Sequence, residues 1–166
     1  MVNLVKNTLV TAISGARDVG GEMGTAAVSA VRGSIHAASA IGADLGAVAR
    51  YTIMGTIEAA EQIGGDAGGV ARSATRGAVK TTREVGGDMS RVAGQAIQGT
   101  ADAARRLGAD VSTLVQDAAQ GAMEAANRIG SATGRAMRAT VAEAVAGTKA
   151  LAGRPARPAS RRRRRA

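Results

Sequence analysis

The stretch VGGDMSRVAGQAIQGTADAARR, residues 85–106, is one copy of a unit that fills most of the chain. Adjoining copies read IGADLGAVARYTIMGTIEAAEQ (41–62), IGGDAGGVARSATRGAVKTTRE (63–84) and LGADVSTLVQDAAQGAMEAANR (107–128). Looser copies stand at 19–40 and 129–150, so six follow one another without insertion or deletion. A fixed period of this length marks a repeat architecture. The unit divides the chain into a partial repeat at 1–18, six repeats at 19–150 and a different tail at 151–166.

Twenty-two is two elevens, and eleven residues in three turns give about 3.67 residues per turn, close to the relaxed α-helix. A pattern at this period stays on one face of a helix and gives it a slight right-handed supercoil. On such a helix the first-position residues Val19, Ile41, Ile63, Val85, Leu107 and Ile129 form one ridge. Thirteenth- and seventeenth-position residues, among them Ile53, Ile57, Ile97 and Val141, form a second. Two ridges on one helix imply two neighbours. The second-position glycines Gly20, Gly42, Gly64, Gly86, Gly108 and Gly130 share an azimuth with the thirteenth position and read as notches for a neighbour's Ile or Val. Glycine also recurs at the fifteenth position (Gly33, Gly55, Gly77, Gly99, Gly121), where the last copy has Glu143.

The expected fold is therefore all-α: a long, mostly continuous hendecad helix that assembles laterally into a right-handed coiled-coil barrel, tube or filament. A competing reading makes each Gly-Gly-Asp a break, with glycine ending one helix and aspartate capping the next. That gives six helices of about 18 residues each, stacked as a solenoid or folded as a bundle. No proline before Pro155 and an unbroken phase through each segment favour the continuous helix. Residues 1–150 hold 22 glycines, each costing about 1 kcal/mol in a helix relative to alanine. Such a helix needs its wide face buried by other copies or by lipid.

Charge is divided unevenly. Residues 1–150 carry 15 Lys and Arg against 13 Asp and Glu, while 151–166 carry seven Arg and no acid. The two prolines and Arg161, Arg162, Arg163, Arg164 and Arg165 make that tail a basic, non-helical arm suited to a polyanion. An anionic membrane surface is the preferred partner, with nucleic acid second. Along the repeats, Asp44, Asp66, Asp88 and Asp110 edge one side of the apolar arc, and Arg50, Arg72, Arg83 and Arg105 the other. Parallel helices side by side would bring acidic edge to basic edge.

No cysteine is present and His36 is the single histidine, so no metal, cofactor or catalytic constellation stands out. No apolar run is long enough for a transmembrane helix. A signal-like reading of residues 1–16 loses to the repeat phase, because Leu9 and Ile13 fall where Val31 and Ile35 fall one period later.

The period, the wide small-residue face and the recurring [VIL]-G-[GA]-D resemble bacterial hendecad-repeat proteins over about residues 8–150. The resemblance implies right-handed coiled coils, fibre formation, membrane association and a bacterial cytoplasmic setting, with the chain itself as principal partner. The style is also similar to the eleven-residue repeats of late-embryogenesis-abundant proteins, perilipins and apolipoproteins, which implies a lipid-surface coat. The chain lacks their Lys-rich polar face and the aromatic or Leu anchors of an interfacial helix. Helix-on-helix packing is the expectation that follows.

Overall fold

Each glycine–acid segment turns the chain. The computed structural model describes residues 19–152. Six helices follow in order: α1 (Val19–Ala40), α2 (Leu45–Gln62), α3 (Ala67–Glu84), α4 (Met89–Leu107), α5 (Val111–Asn127) and α6 (Ser131–Ala152). The long continuous helix does not form, nor the supercoil along it, because the period is one helix plus one turn.

The turns are made by local chemistry. Gly42, Gly64, Gly86 and Gly108 sit at φ of +67°, +71°, +72° and +69°. This left-handed conformation suits glycine and costs other residues about 1–2 kcal/mol. The next amide reaches back to the preceding helix: Ala43 to the Ala38 carbonyl, Gly65 to Ala60, Gly87 to Thr82 and Ala109 to Ala104, all at 2.8–2.9 Å. These are Schellman ends, which satisfy carbonyls left over at a helix terminus. Asp44, Asp66, Asp88 and Asp110 then cap the next helix. Their carboxylates accept from the amides of Gly46 (2.9 Å), Gly69 (2.9 Å), Arg91 (3.0 Å) and Ser112 (2.8 Å). The last turn departs from this pattern: Gly130 has φ +119° and the fourth place of the copy is Ala132.

Second-position glycines from Gly42 to Gly130 are thus chain reversals, not notches; Gly20 lies in the first turn of α1. The first-position residues form no ridge either. Val19 opens α1, Ile63 and Val85 are C-cap residues, and Leu107 closes α4. Ile63, Val85, Leu107 and Ile129 pack half-buried against the core, while Ile41 is 81% exposed. Gly86→Ala should lower stability by about 1–2 kcal/mol through the strained φ alone, as a urea titration followed by circular dichroism would show.

The buried stripe of each helix has ordinary amphipathic spacing. In α2 it is Ala49, Ile53, Thr56 and Ala60; in α4 it is Ala93, Ile97, Thr100 and Ala104. The steps of four, three and four keep one face inward. Ile57 lies fully buried beside this stripe, and Val141 nearly so. The Thr56 and Thr100 hydroxyls donate to carbonyls of their own helix. Thr75, also fully buried, has a hydroxyl with no partner.

Each helix packs on the next and on the next but one. Two layers result, α1–α3–α5 and α2–α4–α6. Paired residues advance together along α2 and α4, as Asp44 with Arg91, Arg50 with Asp102 and Glu58 with Arg106, so neighbours within a layer are parallel. Turns of three or four residues then require successive helices to run in opposite directions. The architecture is a two-layer α-solenoid with a 44-residue step.

Close approach within a layer falls to the fifteenth-position glycines. A side chain on Gly99 would overlap the Arg50 carbonyl, and one on Gly121 the Arg72 carbonyl. Gly77 faces Val28, with Cγ1 at 3.1 Å from where a Cβ would stand. The turns interlock in the same way. Gly65 leaves room for Met23 and Gly87 for Leu45, two large side chains at the fifth position of the copy two before.

Candidate self-association surface

Ion pairs follow the layers. Between α2 and α4, Arg91 meets Asp44 at 2.5 Å, Arg50 meets Asp102 at 2.5 Å, and Arg106 meets Glu58 at 2.9 Å. Between α1 and α3, Arg32 lies 3.3 Å and His36 3.8 Å from Glu84. Between α3 and α5, Arg72 and Arg76 both hold Glu124. The Arg72 hydrogen bond keeps the Glu124 carboxyl below the usual glutamate range. The Thr113 hydroxyl and the Ser112 amide do the same for Asp110 at its cap. Most of these pairs are partly exposed and each adds little, about 0–1 kcal/mol. Most of them link residues 48 or 52 apart, in keeping with the register of each helix on its neighbour in the layer.

The two charged edges read from sequence are only partly brought together. Arg50 and Arg72 do meet carboxylates on a parallel neighbour, but those of the eighteenth position, Asp102 and Glu124. Arg105 bonds Asp102 within its own helix at 3.2 Å. Arg83 stands in the last turn of α3, where a cation complements the helix dipole. Asp66, Asp88 and Asp110 serve as caps, and Asp44 is both cap and partner. The five arginines at 161–165 lie outside the described residues.

Where the glycine rule fails, the layer opens. Glu143 takes the fifteenth place in α6 and Gly94, which faces Thr140, the tenth in α4; both line a cleft of about 560 Å³. Arg91, Asp102 and Arg105 of α4 and Arg50 of α2 line it too; Arg50 and Arg105 both pair with Asp102, and Arg91 pairs with Asp44. Among the described residues no group of three or more His, Asp or Glu could hold a metal ion. No described helix is long and apolar enough to cross a membrane.

The first described helix of the α1–α3–α5 layer leaves its fifteenth place open. Gly33 is exposed and has nothing within 4 Å of a built Cβ, whereas Gly77 and Gly121 at the same place are filled by α1 and α3. Ala37 and Ile41 continue this open line one and two turns on. At the far side of the layer, α5 presents exposed Gln116 and Gln120 at the places where α3 carries Arg72 and Arg76. The repeat period and the glycine places are plain in the sequence; the charge partners and the end surfaces are not, because both depend on which helices share a layer. No protein-family model, curated protein or solved structure matches the chain.

Proposed function

We propose that this chain is a structural protein whose solenoids associate with one another into filaments or tubes. The observation that carries this reading is the open α1 edge, where the repeat's packing notch stands empty at Gly33. A repeat edge whose packing notch stands open can seat the next copy, since repeat proteins generally need capping repeats to stay apart. Heterologous end contacts of this kind close into rings or run on as filaments. The wide apolar face that a single helix would need other copies to cover is buried within one chain here. Assembly therefore proceeds through ends and not through lateral coiling of bare helices. The same burial speaks against a lipid-surface coat, which would need the two layers to separate. The Arg-rich tail would tether the assembly to an anionic surface, a membrane first of all.

Purified full-length protein at physiological salt, without lipid or nucleic acid, is expected to form regular filaments, tubes or rings by negative-stain electron microscopy. Its sedimentation coefficient should rise with concentration. A monomer at all concentrations up to the high micromolar range would overturn the reading.

A further inference from the structure

The α1–α3–α5 layer uses one contact repeatedly. The tenth-position main chain of one helix seats the fifteenth-position glycine of the helix two further on: Arg72 of α3 seats Gly121, and Val28 of α1 faces Gly77. The sixth position meets the eleventh in step with it. Ser73 Cβ lies 3.5 Å from a Cβ built on Gly24, and Asp117 crowds Gly68. The outer edge of α1 offers the unfilled half of this contact: exposed Ser29 at the eleventh place, Gly33 at the fifteenth, and Ile41 at the helix end. Ile41 stands out because its counterparts at later helix ends are half-buried. The outer edge of α5 offers the other half, Ser112 at the sixth place and Gln116 at the tenth.

Charge fits as well. Inside the layer, Arg at the tenth and fourteenth positions meets acid at the eighteenth or twenty-second. At the ends, Gln116 and Gln120 replace those arginines, and on α1 both Arg32 and His36 already face Glu84. Asp110, the counterpart of Asp44 in its pair with Arg91, would face the uncharged Thr25, but its carboxylate already accepts from the Ser112 and Thr113 amides and the Thr113 hydroxyl.

We propose that the outer edge of α1 docks on the outer edge of α5 of a second copy, with Gly33 seated on the Gln116 main chain and Ser29 beside Ser112. This continues between molecules the register that joins α3 to α1 and α5 to α3 within one. It rests on the self-association proposed above and names the surface responsible.

The chain has no cysteine, so a pair placed by this register reports on it cleanly. The sixth-to-eleventh Cβ separation of 3.5 Å at Gly24 and Ser73 falls in the range a disulfide spans. Full-length protein carrying Ser29→Cys and Ser112→Cys together is expected to give a ladder of multimers on a non-reducing gel after mild oxidation. A mixture of the two single variants should stop at dimers, and neither variant alone should cross-link. Gly33→Leu should raise the concentration needed for assembly about tenfold or more, equivalent to losing one good contact. Because no described residue comes within 4 Å of a Cβ at Gly33, its helical content and melting curve should stay at or above those of the parent. Cross-linking of Ser29→Cys with itself would show α1 pairing with α1 and overturn the proposal. Filaments that persist in Gly33→Leu without the Ser29–Ser112 cross-link would overturn this interface while leaving self-association standing. Absence of any assembly in the parent protein would remove both.

Discussion

Gly121→Ala is expected to destabilise the fold by about 2 kcal/mol, although alanine is the better helix former by about 1 kcal/mol. The added methyl would overlap the Arg72 carbonyl, carbon and Cα, which belong to a helix main chain and cannot rotate away. Relief requires α5 to move off α3, which strains the ion pairs to Glu124 and the packing of the shared core. Overpacking of this kind costs about 1–3 kcal/mol or more, and a backbone obstacle belongs at the upper end. Gly99→Ala should behave alike against Arg50. Gly33→Ala, at the same repeat position, should instead stabilise by up to about 1 kcal/mol, because only helix propensity acts there. Urea titrations at dilute protein concentration, where self-association is minimal, compare the variants. Equal signs at Gly33 and Gly121 would show that the fifteenth position is not where the helices of one layer meet.

That contrast also explains which part of the structure the sequence announces. The all-helical class is written in the absence of large aromatics and the Ala-rich periodicity. The 22-residue unit is equally plain. The break within it is carried by two residues, a glycine that must take positive φ and an aspartate two places on. Both signs are in the chain at Gly86 and Asp88, yet the hendecad phase crossing them is just as real in the sequence. It misleads because phase continuity needs only that every copy be alike. A helix of 18 residues and a turn of four reproduces the same spacing as a continuous helix would.

Bulky residues misled for a related reason. Ridges drawn through Val, Ile and Leu placed Ile41, Ile63 and Val85 on a packing face, whereas the structure puts them at helix ends. The most consistently buried line runs instead through Ala49, Ala71 and Ala93 at the ninth position and Ala60, Ala104 and Ala126 at the twentieth. Small side chains in these places let the two layers approach, and their burial is invisible to a search for large apolar groups. Arg50 and Arg72 stand on the basic edge, but the carboxylates they meet, Asp102 and Glu124, are not those of the acidic edge. The offset of one helix on its neighbour is a tertiary quantity, set jointly by Gly99 on Arg50 and Gly121 on Arg72.

One ion pair in this ladder differs in burial, and its two halves should respond very differently to substitution. Glu58 is 7% exposed near the C-terminal end of α2, while its partner Arg106 extends from the end of α4 with a side chain 59% exposed. Arg106 Nη1 donates to the Glu58 carboxylate at 2.9 Å and lies 3.6 Å from Met54 Sδ. Arg106→Ala leaves a carboxylate within the packed layer with its charge uncompensated. Removing one partner of a fully buried pair costs about 3–5 kcal/mol, and the water that reaches the guanidinium side reduces this to about 2 kcal/mol. Glu58→Gln keeps the shape and an oxygen that accepts from the arginine, and frees a cation that is already hydrated. Its cost should stay within about 1 kcal/mol. The double variant Arg106→Ala, Glu58→Gln should then be more stable than Arg106→Ala alone, since the buried charge is gone. The coupling is read from a double-mutant cycle of urea midpoints. Small and equal effects of both single changes would mean that Glu58 is solvated in solution and that α2 and α4 are held together by the Gly99 contact and the alanine stripe alone.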